Sequence, residues 1–101
     1  MQCIKLIAFK DVVIEIVSGR KTKEYREYKD FYHKRFSKLS VPFKLYLRGG
    51  YNKEALFVEV LIDKITIERP FINKWLAKLG LGQKFYVLHI PKILNHNVNG
   101  N

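Results

Sequence analysis

The chain has 101 residues, enough for one domain with a modest core, and 48% of them are hydrophobic, too many for a disordered segment. Its net charge is +10, and it has one cysteine, Cys3, so no internal disulfide can form. No apolar run reaches the roughly 20 residues that cross a bilayer, and Lys5 and Lys10 interrupt the apolar start where a signal peptide would need continuity. These features predict a cytoplasmic protein with no membrane partner, in which Cys3 is a small apolar strand residue.

In chain order, residues 4–9 are rich in strand formers and are read as the first strand. Asp11 is placed to cap a helix carrying Val12, Val13, Ile16 and Val17 on one face, and Gly19 can stop it. The β-branched residues of this stretch argue for a strand, but spacing, cap and stop favour a helix. Residues 22–28 form the second expected strand. Side chains alternate faces along a strand, so Thr22, Glu24 and Arg26 share one face, with Lys21, Lys23 and Tyr25 on the other. Lys21 sits at the turn and is free to point either way. A carboxylate and a guanidinium two positions apart can grip a polar ligand together. More often such a pair is an ordinary surface ion pair worth roughly 0–1 kcal/mol.

Asp30 is the next candidate cap. Tyr28, Tyr32, Phe36 and Leu39 recur near every fourth position, a helical stripe suited to a core, and Lys29, Lys34, Arg35 and Lys38 decorate the remaining faces. Residues 43–48 alternate as a half-exposed strand, and Gly49-Gly50 marks a turn. Residues 55–62 read as a strand buried on both faces, in which Glu59 needs a partner unless it faces water. The alternation from Lys64 to Glu68 suggests a bend or restart near Asp63. After Pro70, the spacing of Ile72, Trp75, Leu76 and Leu79 is the clearest helical stripe in the chain and predicts a core Trp75; Gly80 can end that helix. Residues 85–90 are read as the last strand, closed by Pro91. Residues 1–94 then form one domain, and 95–101 an Asn-rich flexible tail. Five or six strands with two or three short helices predict an α+β fold. Short connections make its sheet mixed and largely antiparallel, and a small, partly closed barrel fits the count.

Between Arg20 and Lys53 eleven Lys or Arg face Glu24, Glu27 and Asp30, a local charge of +8 that attracts polyanions. RNA is the expected partner; an acidic protein is the alternative, and a core this small leaves room for a homodimer contact. Cys3, His33, His89 and His96 lack metal-ligand spacing, and Gly49-Gly50 lacks a phosphate-loop context, so no metal or cofactor is expected. Thr22 beside Lys21 is the one nucleophile–base pair, although a regular strand points the two apart.

The run Ser18, Gly19, Lys21, Thr22, Glu24 and Arg26 after an apolar helix resembles the signature of the ASCH domain, a member of the PUA-like superfamily. Residues 82–90 are similar to the closing strand of small ASCH proteins; a Gly-Asp turn before the third strand is missing. The resemblance implies a PUA-like barrel and a site for RNA or a modified nucleoside. Arg20, Lys21, Thr22, Glu24, Arg26 and Tyr28 are the ligand-binding candidates. Lys21 and Arg26 would donate, Glu24 would accept, and Tyr25 or Tyr28 would stack. Lys29, Lys34, Arg35 and Lys38 would follow a nucleic-acid backbone. Some small ASCH proteins are amidohydrolases that deacetylate N4-acetylcytidine, and some are described as ribonucleases. The resemblance therefore also permits a hydrolase using Lys21 and Glu24, with Glu59 or Glu68 as a further carboxylate. This chain, however, has Glu24 where those amidohydrolases carry a threonine nucleophile.

Overall fold

The computed structural model describes residues 1–99. The alternation of Phe43, Leu45 and Leu47 with Lys44, Tyr46 and Arg48 becomes β3 (Phe43–Arg48), with the three apolar side chains fully buried and the other three half-buried. β3 pairs antiparallel with β4 (Phe57–Ile62), which buries Val58, Val60 and Ile62 on the same side. Burying each such side chain contributes roughly 1.5–3 kcal/mol, so this pair of strands is the floor of the core. The other face of β4 is half-exposed, Glu59 included, rather than buried as its continuous apolar run suggested.

Before these strands come β1 (Cys3–Ile7), α1 (Lys10–Val17), β2 (Lys23–Glu27) and α2 (Asp30–Phe36); after them come β5 (Lys64–Glu68), α3 (Lys74–Lys78), β6 (Phe85–His89) and β7 (Lys92–His96). The result is an α+β fold of two mostly antiparallel sheets, ordered β1-β3-β4-β7 and β2-β6-β5. Only β1 and β3 run parallel, and residues 8–42 supply the long connection that parallel neighbours require. α1 lays Val13 and Ile16 across β3 and β4. α2 adds Phe36, and the second sheet adds Leu88. Asp63 alone separates β4 from β5, so the expected bend is a change of sheet.

Several expectations need correction. Neither Asp11 nor Asp30 is a cap: Phe9 and Lys29 hold those positions without a side-chain bond, and each Asp lies within the first turn, where its charge complements the helix dipole. Cys3 is exposed, because Ile4 and Leu6 take the inward positions of β1. Trp75 is 69% exposed, and α3 buries none of its residues. Residues 85–90 are not the last strand: β7 follows Pro91 and pairs with β4. Asn95 and His96, assigned to the tail, lie opposite Glu59 and Val58. Val98 also packs against the core. Residues 100 and 101 of that tail lie outside the described residues.

Candidate functional site

The turn after α1 aims its cations in different directions. Gly19 adopts a positive φ of 83°, and the amides of Ser18, Gly19 and Lys21 return to the carbonyls of Ile14, Ile16 and Glu15. This closure folds Arg20 back on the helix, where its Nε donates to Glu15 Oε2 at 2.8 Å. The bond holds the Glu15 carboxyl below its usual range and raises the Arg20 guanidinium. Lys21 leaves the turn towards β2. Its Nζ lies 3.5 Å from Glu24 Oε1 and 4.7 Å from the centre of the Tyr25 ring. Thr22 is exposed just before β2, and its carbonyl accepts from the Ile90 amide.

Within β2 the alternation puts Glu24 and Arg26 on the inner face. They stand opposite Leu88 and Tyr86 of β6, and Glu24 is the one buried charged residue among those described. Glu24 Oε2 accepts from Arg26 Nη2 at 2.8 Å, and Oε1 accepts from the Tyr25 amide at 3.1 Å. Arg26 also ties three elements together. Its Nη2 donates to the Ile7 carbonyl at the end of β1, and its Nη1 to the Tyr32 hydroxyl on α2, each at 3.0 Å. Burial alone would lower the Arg26 guanidinium; Glu24 and Tyr32 outweigh it and leave it above its ordinary value, so it stays charged. Its Nε is buried and has no hydrogen-bond partner.

Arg26 and Glu24 line a cleft of about 390 Å³ where the end of β1, the start of α1, β2 and the start of α2 converge. Ile7, Ala8, Phe9 and Val12 make its apolar wall, and Tyr32 and Lys29 belong to the α2 side. Phe9 is 83% exposed at this cleft. A largely apolar cavity with a few convergent polar groups is the usual form of a small-molecule site.

Of the ligand-binding candidates, this cleft brings together Glu24 and Arg26. Lys21 reaches Glu24 without lining the cleft, and Arg20, Thr22 and Tyr28 lie elsewhere. Tyr28 packs on His33 and Tyr86, under Lys84. Tyr25 touches the cleft but turns its ring towards Phe71 on the outer face of the sheet. Lys29 lines the cleft, Lys34 and Arg35 continue along α2, and Lys38 follows its end. Glu59 and Glu68, the further carboxylates considered for hydrolysis, are not among the lining residues. Glu68 instead accepts from the Thr66 hydroxyl, which also meets His89 Nε2 at 2.9 Å. Phe9 and Tyr32 also belong to the cleft, outside the residues that the sequence motif offers. The only signal for Tyr32 was a hydroxyl within an apolar stripe, since a buried tyrosine needs a partner for its polar tip.

These features define a small basic α+β domain with a partly apolar cleft floored by a buried Glu–Arg pair. No helix among the described residues is long and apolar enough to cross a membrane. No protein family, curated protein or solved structure matches the chain.

Proposed function

We infer that this domain binds nucleic acid, RNA above all, or a modified nucleoside, and that the Arg26 cleft holds a base or nucleotide. The observation that carries the reading is the Arg26 guanidinium: held by Glu24, Tyr32 and the Ile7 carbonyl, it lines the cleft together with Ile7, Ala8, Phe9 and Val12. Such a preorganised donor suits a base carbonyl or a phosphate oxygen. The exposed ring of Phe9 offers a surface for a base; Lys29 lies at the same cleft, 3.7 Å from Glu27, which also lines it. We further assign the chain to the ASCH group of PUA-like domains, on Gly19, Lys21, Thr22, Glu24 and Arg26. Two sheets joined through Asp63 and bridged by Arg26 are compatible with its partly closed barrel.

Calorimetric titration with the four nucleoside monophosphates and N4-acetylcytidine tests this reading. At least one of them should bind the wild type. Arg26→Lys keeps the charge and loses the fork, so it should weaken that ligand roughly 10-fold or more, the loss of one charge-assisted hydrogen bond of about 1.5–3 kcal/mol. Absence of binding by all five, together with a purified protein free of RNA at low salt, would reject it.

A further inference from the structure

The cleft at Arg26 does not stand alone. Arg26 and Tyr32 also line a second depression, of about 430 Å³, with Phe31, Arg35, Lys5 and Tyr51. Phe31 and Arg35 in turn line a third, of about 570 Å³, with Lys34 and Lys38. Shared lining residues place the three side by side, from the end of β1, along α2, to the start of β1. No Asp or Glu lines the second or third depression. Cations without a carboxylate in the same lining suit a phosphate backbone.

Aromatic rings stand in the same path. Phe31 is 51% exposed and Tyr51 86% exposed, although burial is the usual fate of such rings. The Arg35 guanidinium sits 4.3 Å from the centre of the Phe31 ring, joining a cation to a stacking surface. Rings of this kind are useful to bases whose faces are free, and a duplex hides those faces within its own stack. Charge alone would suit a duplex equally; charge interleaved with exposed rings favours a single strand.

The geometry points to a track for single-stranded nucleic acid that starts at the Arg26 cleft, passes Phe31 and Tyr51, and leaves between Lys34 and Lys38. The inference rests on the cleft being a base or nucleotide site, and adds the form and length of the ligand. From Lys29 to Ser37, the two caps of α2, eight rises of 1.5 Å give about 12 Å, room for roughly two to four nucleotides at 3.4 Å or more each.

Fluorescence anisotropy with 3′-labelled oligouridylates of one, two, four and eight nucleotides, and with a twelve-base-pair RNA duplex, separates the outcomes. Affinity should climb at least 10-fold from one nucleotide to four, change little from four to eight beyond the statistical gain, and exceed that for the duplex. Phe31→Ala and Tyr51→Ala should each lower tetramer affinity about 5-fold or more and leave the mononucleotide unchanged. Both side chains are exposed, so thermal melting should show both variants folded. A mononucleotide that binds as tightly as the tetramer, or a duplex that binds more tightly, overturns the track and leaves the cleft reading standing. Absence of binding by any probe overturns both. Ring variants that bind the tetramer like wild type overturn the stacking role and with it the track.

Discussion

Arg26 Nη2 and Glu24 Oε2 meet at 2.8 Å on the inner face of β2, where both side chains are largely withdrawn from solvent. The two partners are not equally dependent on each other. Glu24 also has Lys21 and the Tyr25 amide, whereas among the described residues Glu24 is the only carboxylate paired with Arg26. Glu24→Leu should therefore destabilise by about 3–5 kcal/mol, because it leaves an uncompensated buried cation. Arg26→Met should cost less, and the double variant less than the Glu24→Leu single. Urea unfolding of all four proteins measures this cycle. Effects that simply add, to within about 0.5 kcal/mol, would contradict the coupling.

Lys38 and Arg26 should differ in how salt modifies their loss. Lys38 lies beyond the end of α2, in the lining of the outer depression. Its contribution is release of counterions, so Lys38→Ala should reduce the slope of log affinity against log salt for an oligouridylate by about 0.7. Arg26→Ala should weaken binding more, and by a similar factor at every salt concentration. Equal, salt-insensitive losses for both would remove the division between a seated ligand and an electrostatic path.

The parts of the fold that were legible are those where a single period governs the burial. β3 is bounded as its alternation predicts, and the Glu24/Arg26 face follows from the two-residue repeat. What was not legible depends on neighbours. β7 escaped notice because Asn95 and His96 look like tail residues, yet the exposed edge of β4 gives their backbone a partner. The cleft escaped too: its walls come from β1, α1, β2 and α2, and no local pattern states that the Ile7 carbonyl ends 3.0 Å from Arg26. The direction of Arg20 is not legible for a related reason, since the Gly19 turn sends it back to Glu15.

Tyr86 predicts a response to alkali. Burial and then the neighbouring Tyr28 raise its phenol above the ordinary value of 10.0. Its hydroxyl is bonded to His33 Nδ1. The folded state thus holds the proton more tightly than the unfolded state. The contribution of Tyr86 to stability is complete below about pH 10, where both states are protonated. It falls as the pH rises through that value towards the folded pKa, because the unfolded phenol ionises first. The informative quantity is a difference, in which the rest of the chain cancels. The stability gap between wild type and Tyr86→Phe should narrow between pH 9 and 11 in denaturant melts. A gap that widens, or that stays constant, would show that Tyr86 is not held neutral by its surroundings.

Trp75 supplies the test that separates periodicity from burial. Its stripe with Ile72, Leu76 and Leu79 is helical in spacing, and α3 does form, capped by Asn73 Oδ1 accepting from the Leu76 amide at 2.9 Å. The helix nevertheless sits on the outer side of the three-stranded sheet: Phe71, just before it, packs on Tyr25 and Phe85, while Trp75 points away. A short helix has room for few inward positions, and here the segment preceding it makes the packing contacts. Trp75→Ala should accordingly change unfolding stability by no more than about 0.5 kcal/mol, whereas Phe36→Ala, at a site 6% exposed, should cost about 3–5 kcal/mol. The single tryptophan also reports directly: acrylamide should quench its fluorescence in the folded protein almost as well as in the unfolded chain. Strong protection from quenching would place Trp75 in an interface, and a copy of the chain would be the first partner to examine by sedimentation.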